Sequence, residues 1–168
     1  MARSFTDRMI GAATLDVATF EEVEHDESAT LQAAGVVALV AAANAAAALG
    51  AGPIGMVRAA GGELIGVALW CAITYFIGTR LFAGTATLGE VFRTVGFALS
   101  PRILVVITLL PIIGGLFWIL SPILAVWVLV SVVIGVRQAL DVSTGKAVLA
   151  SLLGAVSYWI LVLIVPGL

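Results

Sequence analysis

A single histidine, His25, limits the chemistry open to this chain of 168 residues. It stands in the acidic run Glu21, Glu22, Glu24, Asp26 and Glu27, outside every long apolar stretch. A serine–histidine hydrolase, an HExxH zinc site and paired-histidine haem ligation therefore lack their base or ligands. One histidine among flexible carboxylates has no fixed geometry for a metal, so the run reads as a solvated connector. Ser131, Ser151 and Ser157 lie in apolar blocks with no histidine or lysine at the same depth to activate them. They read as small packing residues bonded to the preceding turn. Cys71, the sole cysteine, excludes an intrachain disulfide and reads as a buried thiol. No GxxxxGK phosphate loop is present. The expectation is a protein that is not an enzyme and carries no metal or cofactor.

The polar groups that remain concentrate at Arg137-Gln138-Ala139-Leu140-Asp141, followed by Ser143, Thr144 and Lys146. Arg137 and Asp141 are four apart and can pair on one helix face, with the arginine suited to a helix C-terminus. That pair would fix a turn. The functional alternative gathers Arg93, Arg102, Arg137 and Lys146 at one membrane face to hold anionic headgroups or a partner's acidic surface. Asn44 is the candidate polar residue at membrane depth. The partners expected are membrane lipids and other membrane proteins or a second copy of the chain. A net charge of −2 with no basic cluster excludes nucleic acid.

The elements that must position these groups are set by composition. Hydrophobic residues make up 62% and charged residues 11% of the chain, and the mean hydropathy is +1.20. The apolar residues fall in blocks near bilayer length rather than in amphipathic stripes. An all-α fold follows: a polytopic transmembrane bundle of about five helices, with short N-terminal and mid-chain interfacial helices. Residues 1–27 form a cytoplasmic, interfacial segment without the apolar core and cleavage site of a signal peptide. Capping-box spacings at Ser4/Asp7 and Thr19/Glu22 predict two helices there, with Phe5, Met9, Ile10, Ala13 and Val17 on a membrane-facing side.

Residues 28–168 form the membrane domain, with spans predicted at 29–49, 64–82, 102–120, 123–140 and 147–165. The first holds eleven alanines and is placed inside the bundle. Residues 50–62 read as a Gly/Pro loop. Residues 87–100, opened by a Thr87/Glu90 capping box, read as an interfacial helix too short and too polar to span. The reversal between the third and fourth spans falls either at Ser121-Pro122 or earlier, at Pro111 to Gly115. The later position is preferred, because an earlier turn leaves the third span short at 1.5 Å per residue. With the N-terminus inside, Arg3, Arg8, Arg80, Arg93, Arg102, Arg137 and Lys146 lie on inner segments and only Arg58 outside. That bias orients the chain with its N-terminus cytoplasmic and its C-terminus outside.

The second half of the chain resembles the Yip domain family of five-span membrane proteins, in its prokaryotic branch. The residues that carry the likeness are Phe92 to Ser100-Pro101, Leu110-Pro111-Ile112-Ile113-Gly114-Gly115-Leu116, Trp127-Val128-Leu129, and Val136 to Asp141 with Lys146-Ala147. Thr19-Phe20-Glu21-Glu22 before the first span fits as well. The resemblance implies a multi-pass protein of a prokaryotic cell membrane. In eukaryotes it implies a membrane-traffic factor that binds prenylated small GTPases and other Yip-type proteins. Those members carry a long cytosolic N-terminal region where about 27 residues stand here, so that role is not carried over. The expected function is a membrane organiser or adaptor with lipid or partner binding at the inner face. The alternative is a small transporter or permeation protein.

Overall fold

Ser4 and Thr87 each open a helix as the spacing predicts, with reciprocal side-chain bonds to Asp7 and Glu90. The computed structural model describes residues 3–164, the side chains of 111, 113, 158, 159 and 161–163 excepted. Its order is α1 (Phe5–Ala13), α2 (Val17–His25), α3 (Ala29–Ala47), α4 (Gly52–Arg80) and α5 (Leu88–Ala98). A 3-10 helix (Ser100–Leu109), α6 (Pro111–Gly115), α7 (Phe117–Leu140) and α8 (Thr144–Ile164) follow. The fold is an all-helical bundle. By length and hydropathy, Ala29–Ala47, Leu49–Arg80, Leu88–Leu109 and Phe117–Leu140 can each cross a membrane, and α8 adds a fifth apolar helix. Leu31, Ile54, Val57, Trp118, Ile123 and Val126 face outward, as lipid as solvent requires.

Several boundaries differ from expectation. The predicted loop 50–62 is largely helix. A short 3-10 turn, Leu49–Ala51, ends at Gly52 with φ +74°, a left-handed value that a Cβ disfavours. Pro53 then starts α4 in its first turn, where a missing N–H costs nothing. The predicted interfacial helix 87–100 does not lie apart on a surface. It is α5, packed between α1, α2, α3, α4 and α7 and continued by the 3-10 helix into one 22-residue apolar segment. Arg93 is satisfied inside the protein and Glu90 by the Thr87 cap, which is why polarity misled. The chain reverses at the earlier position, around α6, and the prediction at Ser121-Pro122 is corrected: Pro122 lies within α7. Gly114 makes the reversal possible, since a Cβ there would sit 2.4 Å from the Thr108 carbonyl oxygen. The predicted end of the fifth span at Val165, and Pro166, Gly167 and Leu168 after it, lie outside the described residues.

The N-terminal helices dock onto the bundle. Phe20, Val23 and Ala12 are fully buried with Val91, Val95, Val132 and Val136. The rings of Phe5 and Phe97 stand 6.4 Å apart, and the Ala12 and Ala13 carbonyls accept from Ser131 Oγ at 3.1 Å and Trp127 Nε1 at 2.8 Å on α7. α2 starts at Asp16, not Thr19, with Asp16 Oδ1 accepting from the Ala18 N–H. On the far side, α4 and α8 approach closely where Trp70 Nε1 donates to the Ser151 carbonyl at 3.0 Å. Small residues allow such approach, and a Cβ on Gly154 would meet Trp70 Cδ1 at 2.3 Å.

Candidate functional site

The chain alternates direction, so the N-terminal ends of α3, α5 and α8 meet the C-terminal ends of α4 and α7. Thr85 N donates to the Leu140 carbonyl, and Lys146 Nζ to the Phe82 carbonyl at 3.1 Å. From that end, Asn44 lies about 22 Å along α3, Glu63 about 25 Å along α4, and Arg102 about 23 Å along α5 and its 3-10 extension. Three helices thus bring polar side chains to one level, and there they bond. Glu63 Oε2 accepts from Asn44 Nδ2 at 3.1 Å and pairs with Arg102 Nη2 at 2.9 Å. The Glu63 side chain is 2% exposed and that of Arg102 26%. Glu63 Oε1 is also buried but has no hydrogen-bond partner. Two residues singled out in the sequence, Asn44 and Arg102, meet through a third that was passed over. Glu63 falls between the predicted loop 50–62 and the predicted span 64–82 and is assigned to neither. The usable signal was its isolation, as the only carboxylate between Glu27 and Glu90.

The expected inner-face cluster does not assemble. Arg102 belongs to the buried site. Arg93, 6% exposed, donates through Nε to the Val23 carbonyl at 2.9 Å, through Nη2 to the Glu24 carbonyl, and through Nη1 to Thr30 Oγ1 at 3.3 Å. It caps the C-terminus of α2, where orphan carbonyls and the helix dipole favour a cation. The predicted Arg137–Asp141 pair is absent. Asp141 adopts the left-handed conformation, φ 52°, that ends α7, so helical spacing no longer applies to it. Its carboxylate accepts from Thr85 Oγ1 at 3.4 Å, while Arg137 Nε and Nη2 donate to Gln138 Oε1. Among the described residues the ion pairs join Arg3 to Asp16 and Glu22, Arg8 to Glu22 and Asp26, and Arg102 to Glu63. Arg137 and Lys146 take part in none of them.

The acidic run is likewise no solvated connector. Arg8, 1% exposed, donates to Glu22 Oε1 at 2.7 Å, to Asp26, and to Gln32 Oε1 at 3.0 Å, tying α1 and α2 to α3. Glu24 is buried beside Asp141, Glu90 and Glu21. Burial first, then those charges, push its carboxyl up to about 7, with His25 acting against them. The unfolded chain then loses this proton before the folded one, and stability falls as pH rises from the ordinary carboxylate range to about 7. Glu24→Gln should therefore melt about 2–3 kcal/mol more stably near pH 8 and no differently near pH 4. Melting in detergent at both values checks the sign.

The model of the Yip1 domain matches residues 14–164, nearly the whole described chain. The protein belongs to the Yip1 domain family. No curated protein and no solved structure matches the chain. Family membership and the apolar helices together establish a multi-pass membrane protein. The match takes in α2 to α8, and so covers Asn44, Glu63 and Arg102 as well as the turn between α7 and α8.

Proposed function

We propose that this Yip-family protein is a non-enzymatic organiser of the cell membrane that holds anionic lipid headgroups at the α7–α8 turn. The observation that supports it most is that Arg137 and Lys146, cations at one end of the bundle, are engaged by neutral oxygens rather than carboxylates. A neutral partner orients a cation without cancelling its charge, so both remain open to a phosphate. The same end carries Arg3, Arg8, Arg80 and Arg93, against Arg58 at the opposite end, with Arg102 now counted within the span. Six against one keeps that end cytoplasmic and the N-terminus inside. The docked pair α1–α2 offers a rigid face at the same end for another membrane protein or a second copy.

Anionic phospholipid added to the purified protein should raise its melting temperature, and zwitterionic phospholipid should not. At a hundredfold excess over the dissociation constant the gain is about 2.7 kcal/mol. Arg137→Ala with Lys146→Ala should melt like the parent without lipid and lose that gain. An equal gain from both lipids would count against the reading.

A second reading, a small permeation protein, draws support from the Asn44–Glu63–Arg102 cluster. Ionisable groups at membrane depth mark ion and proton paths in transporters. Solute or proton flux into proteoliposomes tests it.

A further inference from the structure

We infer that Glu63 is a proton-binding carboxyl at membrane depth, its free oxygen Oε1 being the atom that takes the proton. This deepens the permeation reading and rests on it for its purpose, though not for its geometry. Both donors that reach the carboxylate, Asn44 Nδ2 and Arg102 Nη2, bond to Oε2. Oε1 is buried with none. An ionised carboxylate accepts up to about four hydrogen bonds, and a bare buried oxygen bears its full desolvation cost. An electropositive group bound at Oε1 would offset that cost. A metal cation does not fit, because calcium takes about six to eight oxygens and magnesium a near-ideal octahedron. Among the described residues Glu63 offers one oxygen without a partner, and the Arg102 guanidinium stands 2.9 Å from its sister. A proton needs that one oxygen alone.

The charged group facing Glu63 is Arg102, from the 3-10 helix, while α3 presents the neutral amide of Asn44. Protonation removes the carboxylate charge that Arg102 pairs with at 2.9 Å. The arginine is partly exposed and long enough to carry its head toward the nearer membrane surface. It lies just after Pro101 on ten residues of 3-10 helix, a geometry that seldom runs beyond three or four. Proton uptake at Glu63 therefore weakens one tie on the element best suited to rearrange. An apolar groove of about 360 Å³ between α3, α4 and α5 reaches Leu64 and Val67, one residue and one turn from Glu63. That groove gives an apolar reagent a route to the carboxyl from lipid.

The test uses dicyclohexylcarbodiimide on the full chain in lipid nanodiscs, with peptide mass mapping across a pH series. The reagent's nitrogen takes the carboxyl proton and the carboxylate oxygen adds to its central carbon, so only a protonated, lipid-accessible carboxyl reacts. Glu63 should carry the adduct, with labelling falling about tenfold per pH unit above the midpoint. Glu63→Gln should abolish it, and Arg102→Gln should move the midpoint to higher pH. If Arg102→Gln does not fold, Asn44→Ala must shift the midpoint the same way by removing a donor from the ionised form. No adduct on Glu63 at any pH, or labelling indifferent to pH, overturns the proposal. Proton flux into proteoliposomes is read in parallel: an adduct without flux upholds the proton site and removes the permeation reading.

Discussion

Arg102→Ala should destabilise the folded protein by about 3–5 kcal/mol, on the order of 10 °C in a detergent melt. The arginine is the only cation paired with Glu63 among the described residues, and Glu63 is 2% exposed. Removing it leaves a carboxylate in a low-dielectric interior with Asn44 as its remaining donor. Removing both charges is a different matter, because an ion pair replaced by neutral groups of similar shape is often tolerated. Arg102→Met combined with Glu63→Gln should therefore recover most of the loss. A double variant as unstable as the single one would mean that Arg102 acts through packing on α3 instead.

Arg8→Ala is the second large effect, about 3 kcal/mol, and it should act on α1 and α2 before the rest of the bundle. Glu22 and Asp26 keep some contact with water, which moderates the cost, but Arg8 is almost wholly enclosed. Limited proteolysis should cut the variant between α1 and α2 while α3 to α8 stay intact. The pH dependence has the opposite sign to that at Glu24. Burial alone would raise Glu22, but the bonds from Arg8 and Arg3 outweigh it and hold it low. Ser28, then Arg8, hold Asp26 low. The docking they support is present above the ordinary carboxylate range and is lost as pH falls below it. A variant that resists protease like the parent would contradict the assigned role of Arg8.

The helical bundle was legible in the sequence because lipid as solvent leaves a coarse mark: long apolar blocks, proline at helix starts, and cations near helix ends. The capping boxes at Ser4 and Thr87 were legible for a local reason, since three residues carry the whole signal. What failed depends on contacts distant in the chain. Arg93 and Glu90 made α5 look interfacial, and nothing near them reveals that α2, some 70 residues away, presents its carbonyls to Arg93. Glu63 stands between the predicted loop and the predicted second span, and nothing near it in the chain reveals that Asn44 and Arg102 complete it from two other helices. The Arg137–Asp141 pair failed on one dihedral angle, the left-handed turn at Asp141 that ends α7. Spacing rules hold only while the helix continues.

The most direct measurement of the account is native mass spectrometry of the protein released from nanodiscs that contain equal amounts of anionic and zwitterionic phospholipid. The parent should retain anionic phospholipid selectively. Arg137→Ala with Lys146→Ala should lose that selectivity, whereas Arg58→Ala at the opposite end should keep it. Retention of both lipids alike by the parent, or unchanged selectivity in the double variant, would contradict a headgroup site at the α7–α8 turn.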